Sequence, residues 1–156
     1  MPVRVQQEDF DAGVEIDRLR RAAAHVGAIA AFIGTVRDQN LVSGEYASVT
    51  GITLEHYPGM TESALEEVRV QAHERWDLID TLIVHRYGEL KPQDQIVLVV
   101  ATSSHRADAF AACEFMMDYL KTRAPFWKKE TTSEGSRWVV ALASDDESAA
   151  RWEKPN

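Results

Sequence analysis

Four cations, Lys121, Arg123, Lys128 and Lys129, crowd the stretch DYLKTRAPFWKKE of a chain that holds 17 lysines and arginines against 25 aspartates and glutamates, for a net charge of −8. Positive charge gathered locally in an acidic protein, beside Pro125, Phe126 and Trp127, has the makings of a shaped anion site. Lys121 stands where a helix must close before Pro125, and a helix C-terminus favours a cation for dipole reasons alone. Lys128 adds a second meaning. A turn at Pro125 folds the chain back and brings the two ammonium groups toward one concavity, where neighbouring cations part with a proton more readily. In an extended segment successive side chains point to opposite faces, so Lys128 rather than Lys129 is the first choice for the pocket. Phe126 and Trp127 read equally as anchors of a core or of a subunit contact.

Three further groups can hold an anion. Arg37 follows an apolar stretch, and His105 with Arg106 falls in the first turn of a helix, where free amide donors add to the attraction. Arginine supplies a planar fork and lysine a point charge, so the functional reading is that Arg37, His105, Arg106, Lys121 and Lys128 converge on one phosphate or carboxylate. Taken singly, each arginine reads as a surface ion pair. From the residues alone the site suits an enzyme, a non-enzymatic module that binds an anion or a peptide tail, or a purely structural contact.

Other chemistries find little support. Five histidines without close ligand spacing and a single cysteine give no metal centre. Cys113 falls on an apolar helical stripe, where a thiol is an inert hydrophobe with a raised pKa. Ser103 and Ser104 beside His105 are explained by helix capping rather than by nucleophilic catalysis. No glycine-rich phosphate loop occurs. The acidic balance argues against nucleic acid and anionic membranes as partners. The first residues, MPVRVQQEDF, lack a signal-peptide core, and no apolar run is long enough to span a membrane, which predicts a soluble cytoplasmic protein.

The elements that must position these side chains follow from periodicity. Strands are expected at 3–6, 27–36, 51–57, 78–87, 95–102 and 137–143. Helices are expected at 16–24, at 61–76 with Thr61 as cap, and from Ser103 or Ser104 to Lys121 or Thr122. Polar residues 37–48 read as a loop, 88–94 and 133–136 as turns, and 144–156 as a polar tail that frays or docks through Trp152. The whole, 1–156, fits one α+β domain with a mixed, largely antiparallel sheet packed by helices.

The segments LEHYPGMTE (54–62), HRYGEL (85–90), TSSHRADAF (102–110) and MDYLKTRAPFWKKE (117–130) occur in an order that resembles the large, catalytic subunit family of molybdopterin synthase, from about residue 27 to 138. The resemblance implies an α/β hammerhead-like fold and a sulfurtransferase. Its substrate would be cyclic pyranopterin monophosphate (precursor Z), converted to the dithiolene of molybdopterin with no cofactor of its own. Two sulfurs would come from the thiocarboxylated Gly-Gly terminus of a small, ubiquitin-like subunit, which explains an enzyme without a useful cysteine. By motif match Lys121 and Lys128 would be catalytic, Arg37, His105 and Arg106 would bind the pterin phosphate, and Thr35, Val36, Lys129 and Glu130 would border them. The family resemblance further implies a homodimer within a heterotetramer. Two positions depart from some relatives: Thr35 stands in place of a lysine, and Leu142 in place of a basic residue offered to the neighbouring large subunit.

Overall fold

The structure, a computed structural model, describes residues 1–42, 44–139 and 143–153. Its centre is a strand buried on both faces. Residues 97–103 are all buried, and a strand that reads as a nearly continuous apolar run is the kind that helices cover from both sides. This strand, β8 (Gln95–Ser103), lies in a sheet of order β1-β6-β8-β2 with β1 (Val3–Gln6), β2 (Ala28–Thr35) and β6 (Asp80–Arg86). Only the β1–β6 pair is parallel.

One face of that sheet, through Ala30, Ile83, Val97, Val99 and Ala101, packs on α2 (Met60–Arg75) and α3 (Arg106–Arg123). The helices answer with Leu65, Val68, Ala72, Ala112, Phe115, Met116, Tyr119 and Leu120. The other face, through Leu82, Val84, Leu98 and Val100, packs on Phe10 and on Leu19 of α1 (Ala12–Arg21). No described helix is long and apolar enough to cross a membrane.

A second, antiparallel sheet of order β10-β9-β5-β7 stands at one end of the first. It comprises β5 (Gly51–His56), β7 (Gly88–Leu90), β9 (Phe126–Thr132) and β10 (Gly135–Val139). Val36, Val49, Ile52, Leu54 and Leu90 form its small apolar core. Together these elements give the α+β architecture that periodicity implied.

Local departures from the sequence expectations have physical causes. Helix α1 starts at Ala12 rather than at residue 16, because the Asp11 carboxylate accepts the Val14 N–H at 3.0 Å and caps it there. Thr61 is not a cap: it is fully buried, accepting the Tyr57 N–H and donating to the Pro125 carbonyl, while Glu62 receives the Gly59 N–H at 2.6 Å. At α3 the cap residue is His105, and Ser103 Oγ accepts its N–H at 3.3 Å while donating to the Asp77 carbonyl. The polar segment 37–48 is a hairpin, β3 (Gln39–Val42) with β4 (Glu45–Ser48), not a loop.

Residues 88–90, expected in a turn, pair with β5. The tail docks as α4 (Ala143–Ala150) and a short 3-10 turn, with Trp152 edge-on to Trp76 and Phe115 and its indole N–H on Asp118 at 2.7 Å. The expected continuation of the last strand to 143, and the departure at Leu142, lie outside the described residues.

Candidate active site

Strand β9 carries the basic segment, and its register decides which cations turn inward. Phe126, Lys128 and Glu130 lie opposite His56, Leu54 and Ile52 of β5, on the face that holds the small core. Lys129 takes the opposite face, its ammonium 5.6 Å from the Trp138 ring centroid, and Trp127 is exposed there. Alternation therefore separates Lys128 from Lys129 as the sequence pattern required.

Glu130 is the anchor of this strand. Only 2% exposed, it receives the Arg137 guanidinium at 3.0 Å and the Asn40 amide, with the Lys128 ammonium 3.9 Å away. A carboxylate this deep is tolerable only with such donors around it. It ties hairpin β3–β4, strand β10 and Lys128 to one point.

Lys121 is exposed in the last turn of α3. Its charge is felt on the sheet by His85, a buried imidazole on β6 that Lys121 and His56 both disfavour in the protonated form. His85 Nδ1 lies 2.8 Å from the Arg86 carbonyl, so that nitrogen carries the proton and donates it. The Phe126 ring lies flat on the imidazole, centroids 3.7 Å apart and planes 19° from parallel. Burial pushes His85 down to about 4, against the opposing pull of the Arg86 carbonyl, with the charges of Lys121 and His56 adding to the fall. The ring is neutral at physiological pH. The charge of Lys121 reaches this stack, and Lys128 lies two positions beyond Phe126 on the same strand face.

Arg37 reaches the same end of the molecule. Val36 is buried and pinned by backbone bonds to Asp94 and Gln93, at 2.9 and 2.8 Å, which sends Arg37 outward. Thr35, exposed at the end of β2, pairs with Gln95 across an irregularity after Gly34. Neither Arg37 nor Lys121 makes an ion pair with a described residue.

His105 and Arg106 are elsewhere. Helix α3 follows β8 directly and runs back along the sheet, so Arg106 opens it and Lys121 nearly closes it. At about 1.5 Å of rise per residue that leaves roughly 22 Å between them. The five-residue convergence expected from sequence is therefore not met inside one chain: Arg37, Lys121 and Lys128 share one end, and His105 and Arg106 occupy the other.

Gly27 fixes the second end. Its N–H meets the Ser103 carbonyl at 3.0 Å, and a side chain there would come within 2.2 Å of the Ser104 carbonyl oxygen. Sequence reasoning passed over His85, Asn40 and Arg137. The usable signal was His85 inside HRYGEL; Asn40 and Arg137 acquire meaning only through the buried carboxylate they share.

Cys113 is buried among Ala109, Ala112 and Met116, and burial pushes its thiol up to about 11. It has no thiolate to offer. No group of three metal-ligating side chains occurs among the described residues.

A family described as MoaE protein matches residues 5–123. The chain belongs to the MoaE family. A molybdopterin synthase catalytic subunit from Ralstonia nicotianae is 58% identical over 150 residues, spanning 96% of this chain and 83% of that one. Among solved structures, a molybdopterin biosynthesis MoaE protein from Burkholderia ambifaria superposes with a TM-score of 0.81 at 54% identity, covering 98% of both chains. A Helicobacter pylori complex of subunits 1 and 2 of molybdopterin-converting factor shares the fold, with a TM-score of 0.72 at 18% identity over 89% of this chain and 90% of that one. The MoaE match ends at Arg123, so it includes Lys121, while Lys128 and Glu130 lie in the part covered by the longer alignments.

Proposed function

We infer that this chain is the catalytic subunit of a molybdopterin synthase. It places two sulfurs on cyclic pyranopterin monophosphate, each carried in as the thiocarboxylate at the Gly-Gly terminus of a small ubiquitin-like subunit. The observation that carries the reading is a neutral His85–Phe126 stack that feels the charge of Lys121 and that Lys128 follows on the same face of β9, in a chain whose only thiol is buried. Sulfur must then arrive from outside, and the groups that meet it are cations.

The chemistry divides among this chain's own residues. One ammonium meets the thiocarboxylate, whose sulfur forms the new carbon–sulfur bond. The other gives a proton to the oxygen that leaves, and water then releases the carrier's acyl group as a carboxylate. Glu130 holds Lys128 on station, while Phe126 and His85 supply an uncharged, water-poor floor that strengthens both charges. Thr35, Val36 and Glu130 border the pocket as positioning residues, while Lys129, on the opposite face of β9, backs the strand through Trp138. Arg37 takes the substrate phosphate by a forked contact.

The small subunit is a partner of this chain in the manner of the Helicobacter pylori complex, and two copies of the large chain form the centre of a heterotetramer. With roughly 22 Å of helix between Arg106 and Lys121, His105 and Arg106 serve the site of the second copy. We place the reaction in the cytoplasm, where a free thiol such as Cys113 stays reduced.

The test is reconstitution with thiocarboxylated small subunit and cyclic pyranopterin monophosphate, following dithiolene formation. Wild-type protein turns over, and a folded Lys121→Ala, Lys128→Ala double variant does not. Full activity in that variant refutes the lysine chemistry, and binding without turnover by wild type refutes the enzyme reading in favour of a binding module.

A further inference from the structure

We propose that His56 is the general base of the site, the group that takes a proton from the water releasing the carrier's acyl chain. This rests on the sulfur-transfer reading and names a step of it for which the lysines are unsuited: ammonium groups hold a thiocarboxylate but cannot deprotonate water.

His56 ends β5 on the inner face of the second sheet. Its partner across the sheet is Phe126, and its diagonal neighbour on that face is Lys128, which pairs with Leu54. Diagonal neighbours stand roughly 7–8 Å apart, within reach of a long side chain. The imidazole therefore shares a surface with Lys128 and with the Phe126 ring that lies on His85. Its side chain is 11% exposed, sheltered but open to a water.

The ring is held from two sides. Tyr87 tilts against it, centroids 4.3 Å apart and planes at 44°. Glu62 Oε1 stands 3.8 Å from His56 Nε2, while Glu62 Oε2 accepts the Gly59 N–H at 2.6 Å. The turn that joins them is firmly built. Tyr57 N–H donates to Thr61 Oγ1 at 3.0 Å and Thr61 N–H returns a bond to the Tyr57 carbonyl at 2.9 Å. Thr61 Oγ1 also donates to the Pro125 carbonyl, which ties this corner to the segment carrying Phe126. A carboxylate beside one imidazole nitrogen favours the proton there and leaves the other nitrogen its lone pair, the arrangement in which histidine works as a base. At 3.8 Å the contact is longer than a hydrogen bond, and such pairs tighten when substrate fills the site.

The other groups on this surface are committed. Glu130 is buried under Arg137 and Asn40. His85 donates from Nδ1 to the Arg86 carbonyl beneath the Phe126 ring, and burial, which holds it at about 4, makes it a weak base. Glu55, next to His56, lies opposite Trp127 on the other face of the sheet.

The step balances with water alone. Once the thiocarboxylate sulfur has bonded to the pterin carbon, it still carries the acyl group, as a thioester. His56 takes one proton of a water, the hydroxide adds to the acyl carbon, and the acyl carbon–sulfur bond breaks. That proton passes to the departing sulfur, and the water's other proton restores the ammonium that gave its own to the leaving oxygen. The carrier ends as a carboxylate and the pterin as a thiol, with no change of oxidation state.

The experiment follows the thioester. Protein is mixed with thiocarboxylated small subunit and cyclic pyranopterin monophosphate, quenched in acid at intervals and read by mass spectrometry, with dithiolene formation measured alongside. His56→Gln should accumulate a covalent adduct of carrier and pterin and discharge it roughly 10²- to 10⁴-fold more slowly than wild type. Hydroxylamine, already unprotonated at neutral pH, should discharge that adduct as the carrier's hydroxamate. His56→Ala should stall in the same way and recover with added imidazole. Glu62→Gln, which keeps an acceptor for the Gly59 N–H, should slow discharge less, and Glu55→Gln should match wild type.

Discharge at wild-type speed in His56→Gln, or slow turnover with no adduct and no response to imidazole, overturns the assignment and leaves sulfur transfer standing. If neither His56 variant folds, Glu62→Gln decides, and discharge at wild-type speed there overturns it. A wild type that forms neither adduct nor dithiolene refutes both readings together.

Discussion

Two dead variants should revive each other. Arg106→Ala removes a cation from one end of α3 and Lys121→Ala from the other, and at roughly 22 Å apart no single pterin phosphate touches both in one copy. Each variant alone should be poor, since losing a charge-assisted contact costs about 1.5–3 kcal/mol, on the order of 10- to 150-fold in kcat/KM. When the two are mixed in equal amounts and allowed to exchange, about half of the dimers contain one copy of each, by random pairing of equivalent subunits. Such a dimer holds one site with neither lesion and one with both. About a quarter of all sites are therefore intact, and the mixture should regain about a quarter of wild-type dithiolene formation per chain. A mixture no more active than the average of its two components would place the whole site in one chain and refute the division of labour. A control with Lys121→Ala and Lys128→Ala should stay inactive, because those two lesions share an end.

Three further outcomes are expected. His85 is held neutral at about 4, below its ordinary 6.5, so the unfolded chain takes up a proton that the native one refuses. The stability associated with the neutral ring is present above 6.5 and lost as pH falls toward 4, about 2 kcal/mol between pH 7.5 and 5. Urea titrations should show that slope in wild type and a shallower one in His85→Gln; equal slopes would mean the ring is hydrated. Glu130→Gln should lower the melting temperature and reduce kcat more than KM, because Lys128 and Arg137 lose their common anchor; the partners are partly exposed, which limits the loss to about 1–2 kcal/mol. Cys113→Ala should keep turnover within about twofold of wild type while costing about 1 kcal/mol of stability; loss of sulfur transfer in a folded protein would mean the thiol takes part.

The sequence was most readable where the core dictates pattern. Strands β6 and β8 and helices α2 and α3 announced themselves by apolar runs and stripes, and the same stripe correctly consigned Cys113 to the interior. Pleat geometry alone predicted that Lys128 and Lys129 would part. Hairpin β3–β4 was hidden because its strands pair with each other rather than with the core, so polar residues serve on both faces; Gly44, at φ 84, was the one visible turn signal. His85 resembled any other lone histidine, since its meaning comes from Phe126, which a different part of the chain folds onto it. The division of the basic groups was in principle legible, because a helix of known length cannot bring its two ends to one small ligand.

The neutral plate formed by His85 and Phe126 has a kinetic consequence. A floor with no counter-charge leaves the cations around it to act outward, and Arg37 and Lys121 in particular project their field from a surface that is elsewhere negative. An anionic tail drifting near this molecule is pushed from most directions and drawn from one, so the carrier is steered to its mouth before any contact forms, and added salt should slow that capture more than it slows the chemistry that follows.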